Sequence, residues 1–276
     1  MSIVSIADRK MIIDNGLELA YYDSQEAGPE APVVVLLHGF CGSSSYWEKV
    51  VPLLAGRARL LIPDLRGHGR SSSSSEEAYT MEMYASDLAD MLSRLEIAEA
   101  HLLGHSLGGY ITLAFAERYG DRLRSFGLVH STSLPDSEAA KANRDASAAA
   151  IRKDGIEAFI DGLVPKLFAA GHLETMEETV ERWKRIGYGT SPAGAVGASL
   201  GMKERPDRTE VLKRWNKPLL LLAGEHDQIM PTERTLIADG ENVAQVLLSG
   251  SGHMAMAEQP NEFAQAVSNF IDKAGE

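Results

Sequence analysis

Short, predominantly apolar runs alternate along this chain with longer amphipathic segments. Val33–Leu37, Leu60–Ile62, Ala100–Leu103, Phe126–Val129, Leu219–Ala223 and Val243–Leu248 are runs of the first kind. A strand apolar at successive positions, rather than at every second one, is buried on both faces, as a parallel strand covered by helices is. Between the runs, helical segments are predicted around Tyr46–Leu54, Met83–Leu95 and Leu107–Tyr119. Strand–helix alternation of this kind predicts a doubly wound α/β sheet with right-handed crossovers. Ahead of it, Met11–Asp14 and Leu17–Tyr22 flank Asn15-Gly16, which predicts a β-hairpin with a two-residue turn.

The alternation stops after His130. Residues 134–215 contain no strand pattern and three or four helical periodicities, with Asp136 a candidate cap and Gly155, Gly171 and Gly189 as breaks. Strand character returns at Leu219. The chain therefore divides into a core of residues 1–133 and 216–276 and an all-helical insertion of residues 134–215. There are no internal repeats. Ser71–Ser75 is a low-complexity run, read as an exposed loop rather than a substrate contact.

Length and apolar content, 276 residues at 44%, suffice for a single large sheet with a substantial core. A net charge of −12 argues against partners that need a basic footprint, so neither nucleic acid nor an anionic membrane is expected. The single cysteine, Cys41, leaves no intrachain disulfide to form. Met1 to Lys10 lack a basic segment followed by a long apolar one, and no apolar run approaches a membrane span. A cytoplasmic protein is expected, with the choice between monomer and homodimer open.

The chemistry concentrates at three strand ends. Gly104-His105-Ser106-Leu107-Gly108 joins an apolar strand to a helix, the context of a nucleophile elbow. The glycines are needed because the turn brings backbone against backbone. A free serine hydroxyl is a poor nucleophile and needs a base. His253, in Ser251-Gly252-His253 after a strand, can accept and return one proton. Asp227, in Gly224-Glu225-His226-Asp227 after another, can orient that imidazole. Glu225 and Asp136 compete for the acid's place. A zinc site from His38, His68, His105 and Asp64 lacks recognisable ligand spacing, and no glycine pattern suits a nucleotide. Neither cofactor nor metal is expected.

Serine, aspartate, histidine, in that order and each past a strand, resembles the α/β-hydrolase superfamily. Val33 to Phe40 resembles its third strand and oxyanion loop, Pro63 to Ser71 the loop after its fourth strand, and Glu258-Gln259-Pro260 the start of its last helix. The resemblance implies a mostly parallel eight-stranded sheet with the helical insertion as a lid after the sixth strand. It implies Ser106 as nucleophile, His253 as general base and acid, Asp227 as orienting acid, and the backbone N–H groups of Phe40 and Leu107 as the oxyanion hole. Serine at the elbow, where epoxide hydrolases and haloalkane dehalogenases carry aspartate, favours carboxylic esters or lactones with small to medium apolar groups. Carbon–carbon hydrolysis or thioester hydrolysis is the alternative, and a ligand receptor on the same fold the non-enzymatic one. Phe40, His105, Phe168, Trp183 and Met254 are the candidate pocket residues. Phe159, Leu163 and Met176 are further lid candidates, Met256 supplies flexible apolar surface, and Cys41 is a residue reachable from the pocket. Arg182, Lys184 and Arg185 read as a solvated helix face.

Overall fold

The structure, a computed structural model, describes residues 4–25, 28 and 31–275. Met1 to Ile3, part of the segment read for a leader, lie outside them. Eight strands form one sheet: β1 Arg9–Ile12, β2 Glu18–Asp23, β3 Val33–Leu37, β4 Arg59–Pro63, β5 Ala100–His105, β6 Leu123–Val129, β7 Leu219–Gly224 and β8 Val243–Leu248. Their spatial order is β1-β2-β4-β3-β5-β6-β7-β8. The two β2 pairings are antiparallel and all others parallel.

Alternate residues of the inner strands feed two separate cores. Val34, Leu36, Leu220 and Leu222 face one, whereas Val35, Leu37, Leu219 and Leu221 face the other. This double burial is what their unbroken apolar runs require. The helices are α1 Val51–Leu54, α2 Met81–Arg94, α3 Leu107–Tyr119, α4 Glu138–Asp154, α5 Ile156–Leu163, α6 His172–Thr175, α7 Glu177–Tyr188, α8 Pro192–Lys203, α9 Thr209–Arg214, α10 Thr232–Thr235, α11 Ala255–Glu258 and α12 Pro260–Ala274. α2 and α3 cover the second core, and α12 covers the first with Phe263, Val267 and Phe270. The sheet reverses its winding at β3, which has β4 on one side and β5 on the other. The crevice at such a switch point, outside the carboxyl ends of the strands, is where ligands bind in open α/β sheets.

Two local expectations change. The β1–β2 connection closes through Ile13 N–H to the Leu17 carbonyl, a three-residue loop with Gly16 at φ +80°, so the turn is one residue longer than expected. The helix expected over Tyr46–Leu54 is a 3-10 turn, Ser44–Trp47, followed by the short α1. Between β6 and β7, every regular element among the described residues is helical. Ser137, not Asp136, caps α4 by accepting from the Ala140 N–H, which leaves Asp136 for another purpose.

Part of this insertion is fixed to the core through backbone. A Cβ on Gly194 of α8 would lie 2.1 Å from the Gly67 carbonyl oxygen, and one on Gly201 would lie 1.7 Å from that of Tyr79. The Ser191 N–H donates to Gly67 and the Tyr79 N–H to Gly197. The loop beneath, after β4, is tied to α2 by Arg66, whose Nε and Nη2 reach the two Asp87 oxygens at 2.7 and 2.6 Å. That bidentate pair is buried on both sides.

Burial of uncharged histidines has a measurable consequence. Burial pushes His38 down to about 4, His68 to about 3, with His38 nearby adding to it, and His101 to about 4. Each is neutral when folded but takes up a proton on unfolding once the pH falls below about 6.5. Stability is therefore full above that value and declines toward pH 4, by about 1.4 kcal/mol per pH unit for each histidine titrating in this way. Thermal melting followed from pH 8 to 4 should show a falling Tm below about 6.5, less steeply in a His101→Asn variant. A Tm unchanged between pH 6.5 and 5 would contradict it.

Candidate active site

Ser106 holds φ +51° and ψ −111° immediately before α3, a conformation strained for any residue with a Cβ. The strain is held from several sides. The Ser106 N–H donates to Val129 of the neighbouring strand, and its carbonyl accepts from the Gly109 and Tyr110 N–H groups and the Ser131 hydroxyl. Room for the turn comes from the two flanking glycines. A Cβ on Gly104 would sit 2.1 Å from the Gly108 carbonyl oxygen, and one on Gly108 would sit 2.6 Å from that of Leu37. Leu107 opens the helix, so its N–H has no partner within it.

His253 is immobilised by its backbone and its ring together. Its N–H donates to the Leu167 carbonyl at 2.8 Å, its carbonyl accepts from His105 Nε2 at 2.9 Å, and its Nδ1 donates to Asp227 Oδ2 at 2.7 Å. Asp227 accepts four hydrogen bonds. The Ile229 and Met230 N–H groups reach Oδ1 at 2.8 Å each, and a second imidazole, His130 Nδ1, shares Oδ2 at 3.0 Å. Burial alone would raise the Asp227 pKa, but the His253 charge and the bonds from both imidazoles hold it far below the usual carboxylate range. Burial lowers the pKa of His130 against the pull of Asp227. Burial, then the charges of His253 and His130, takes His105 well down. His105 is therefore a neutral support that fixes the backbone of His253.

The structure separates the two competing acids from this cluster. Glu225 is exposed and accepts the Gly250 N–H, while Asp136 pairs with Arg144 and Arg205. Among the described residues, the one group that could converge on a metal is His130, Asp227 and His253. Its two Nδ1 atoms already bond Oδ2, so the donors are satisfied by one another. The zinc set considered from sequence does not converge. His38 spends both ring nitrogens on backbone, donating to Gly39 and accepting from Leu65, and Asp64 accepts from Ser5, Ser44 and Arg70.

Two residues not singled out for the site hold it in place. His130 sits at φ +47° at the end of β6 and was visible only as part of a polar run. Glu258 has a fully buried side chain. It accepts the N–H groups of Gly252 and Met254 on either side of His253, that of Ala169, and His172 Nδ1 at 2.7 Å. Its only signal in the sequence is its place before Pro260.

Ser106 and His253 open onto a common cavity of about 170 Å³, lined also by Phe40, His105, Tyr110 and Leu163. Three expected pocket residues are not on its wall. Trp183 is fully buried and stacks on Tyr46, with Phe168 packed against its ring. Met254 is fully buried in the same core as both, as is Met256. Large apolar side chains beside a site serve core packing as well as pocket walls, and here packing takes all of them. Cys41 is also interior, at 1% exposure, and burial pushes its thiol far up.

The family model describing the alpha/beta hydrolase fold matches residues 32–260. The chain belongs to the α/β-hydrolase fold family. Among these hydrolases it is 27% identical to the uncharacterized hydrolase YugF of Bacillus subtilis over 273 residues, 95% of this chain and 97% of that protein. A thermophilic esterase from Thermogutta terrifontis, solved with malate bound, superposes with a TM-score of 0.90 at 32% identity over 96% of this chain and 98% of that one. The enol-lactonase from Burkholderia xenovorans LB400 shares the fold, with a TM-score of 0.86 at 24% identity over 96% of this chain and 100% of that one.

The clamp on the His253 loop is testable. Glu258→Ala leaves three buried backbone N–H groups without an acceptor, at a cost of roughly 1–3 kcal/mol each before relaxation. Melting should show a clear loss of stability, and kcat on a small ester should drop more than KM changes. Wild-type melting and kcat in this variant would exclude the clamp.

Proposed function

We propose that this chain is a serine hydrolase of carboxylic esters or lactones working through an acyl-enzyme. The observation that carries the reading is one cavity that holds Ser106, on its strained elbow, together with His253, whose Nδ1 is engaged by Asp227 at 2.7 Å. In this mechanism Ser106 Oγ attacks the substrate carbonyl carbon while His253 takes the hydroxyl proton, Asp227 holding the tautomer and stabilising the imidazolium. The carbonyl π electrons move onto oxygen, and the backbone N–H groups of Phe40 and Leu107 receive that oxyanion. Collapse expels the alcohol, which takes the proton back from His253. Water then repeats the sequence on the acyl-enzyme, with His253 again as base, and releases the acid and Ser106. His105 and Phe40 shape the cavity beside the reacting carbonyl. Residues 134–215 act as the lid, with Leu163 and Leu167 among the side chains through which it meets the substrate.

Support comes from the esterase neighbour, from the fixed order of the three residues and from a four-donor environment that keeps Asp227 ionised. Ser106→Ala, His253→Ala and Asp227→Asn should each lower kcat on a 4-nitrophenyl ester by three or more powers of ten without lowering Tm enough to unfold the chain, and the losses should not add. A serine-directed phosphonate should label Ser106 in the wild type. Full turnover by Ser106→Ala would overturn the assignment, as would a double variant whose loss is the product of the single ones.

A further inference from the structure

Taking that serine-hydrolase reading as its base, we propose that the preferred substrate carries a free carboxylate on its acyl group, bound by Arg234 and Arg144 across the cavity from Ser106. The chain as a whole is acidic, with 39 Asp and Glu against 27 Lys and Arg. Its cavity is the opposite. Three guanidinium groups, Arg144, Arg205 and Arg234, line it with one carboxylate, Asp136, leaving two positive charges uncompensated on the wall.

The four residues divide the work. Arg205 is buried to 6% exposure. It bonds Asp136 Oδ1 at 2.7 Å, donates to the Met202 and Leu134 carbonyls, and lies 3.9 Å from the centre of the Tyr110 ring. It is therefore structural and fixes Asp136. Arg144 reaches the other oxygen, Oδ2, at 3.0 Å through Nε. Arg234 takes part in no ion pair among the described residues. Among the described residues its guanidinium donates one hydrogen bond, Nη2 to the Pro135 carbonyl at 3.4 Å, and its Nε, like that of Arg205, is buried without a partner. A cation half-withdrawn from water with donors unspent is costly unless a ligand completes it. A guanidinium matches the two oxygens of a carboxylate in one plane. On this proposal the acyl group ends in an anion where the sequence led to an apolar substituent being expected. Pattern reading could not find this, because the arginines stand at positions 144, 205 and 234 on separate elements.

The test compares mono(4-nitrophenyl) glutarate with its uncharged isostere, 4-nitrophenyl 5-methylhexanoate, and measures the binding of glutarate, glutaramide and inorganic phosphate by calorimetry. The wild type should favour the anionic ester by about 10- to 100-fold in kcat/KM, the range expected of a charge-assisted contact, and the preference should shrink as sodium chloride is raised. Arg234→Gln should reduce the ratio at least about tenfold, Arg144→Gln should reduce it less, and Arg234→Lys should keep part of it. Glutarate should bind more tightly than glutaramide, and that difference should vanish in Arg234→Gln. Equal or better use of the uncharged ester, with glutarate binding no better than glutaramide, would overturn the carboxylate site while leaving Ser106 chemistry intact. Phosphate binding more tightly than glutarate would also overturn it. Loss of all turnover and of phosphonate labelling would instead strike the hydrolase reading, and the calorimetric comparison would still decide the site. If Arg234→Gln fails to fold, Arg144→Gln and the salt dependence carry the same decision.

Discussion

A buried carboxylate must be paid for by donors, and Asp227 gathers them from three parts of the chain. Two come from its own turn, one from His253 after β8 and one from His130 after β6. The last three strands of the sheet are thereby joined at their carboxyl ends by one anion. Removing any donor changes both the protonation preference of Asp227 and the orientation of His253, because the same oxygen serves both rings. The elbow is subject to the same discipline. Its strained Ser106 persists because β6, α3 and Ser131 hold its backbone, and because Gly104 and Gly108 leave it space.

The helical insertion does more than line part of the cavity. Leu167 supplies the carbonyl that fixes His253, and Ala169 and His172 bind the carboxylate that fixes the residues on either side of it. The histidine loop is thus held from above by the insertion and from below by the approach to α12. Displacing the segment around residue 168 would move the cavity wall and His253 together, because Leu167 belongs to one and holds the other.

Much of this was legible in the sequence, for a local reason. The inner strands declare themselves by predominantly apolar runs, and at the sheet edge Val243–Leu248 matches β8 to the residue. Ser106, Asp227 and His253 each lie within three residues of a glycine past a strand end, so short-range pattern and chain order nominate all three, and the structure brings His253 and Asp227 into contact and Ser106 and His253 onto one cavity. Glu258, His130 and the three arginines act across separations that no local pattern encodes, such as the 97 residues between His130 and Asp227. Phe168, Trp183 and Met254 fail as pocket residues because size and apolarity say only that a side chain will be buried, not against what. Asp136 was read as a cap since a carboxylate before a helix usually is one. Ser137 serves instead, and Asp136 is drawn to two guanidinium groups.

The close approach of Gly67 and Gly194 has a consequence for how this family could exchange parts. At Gly67 and Gly194 α8 rests on the loop after β4 backbone to backbone, the Tyr79 ring fills the space against Gly197, and Gly201 against the Tyr79 carbonyl extends the match by two turns. An insertion carrying side chains at the places of Gly194 and Gly201 would find no volume for them on this loop. The matched unit is therefore larger than the insertion itself: α8 goes with residues 65–80, and the segment between α5 and α6 goes with the histidine loop, since a Cβ on Gly252 would lie 2.4 Å from the Ala169 nitrogen.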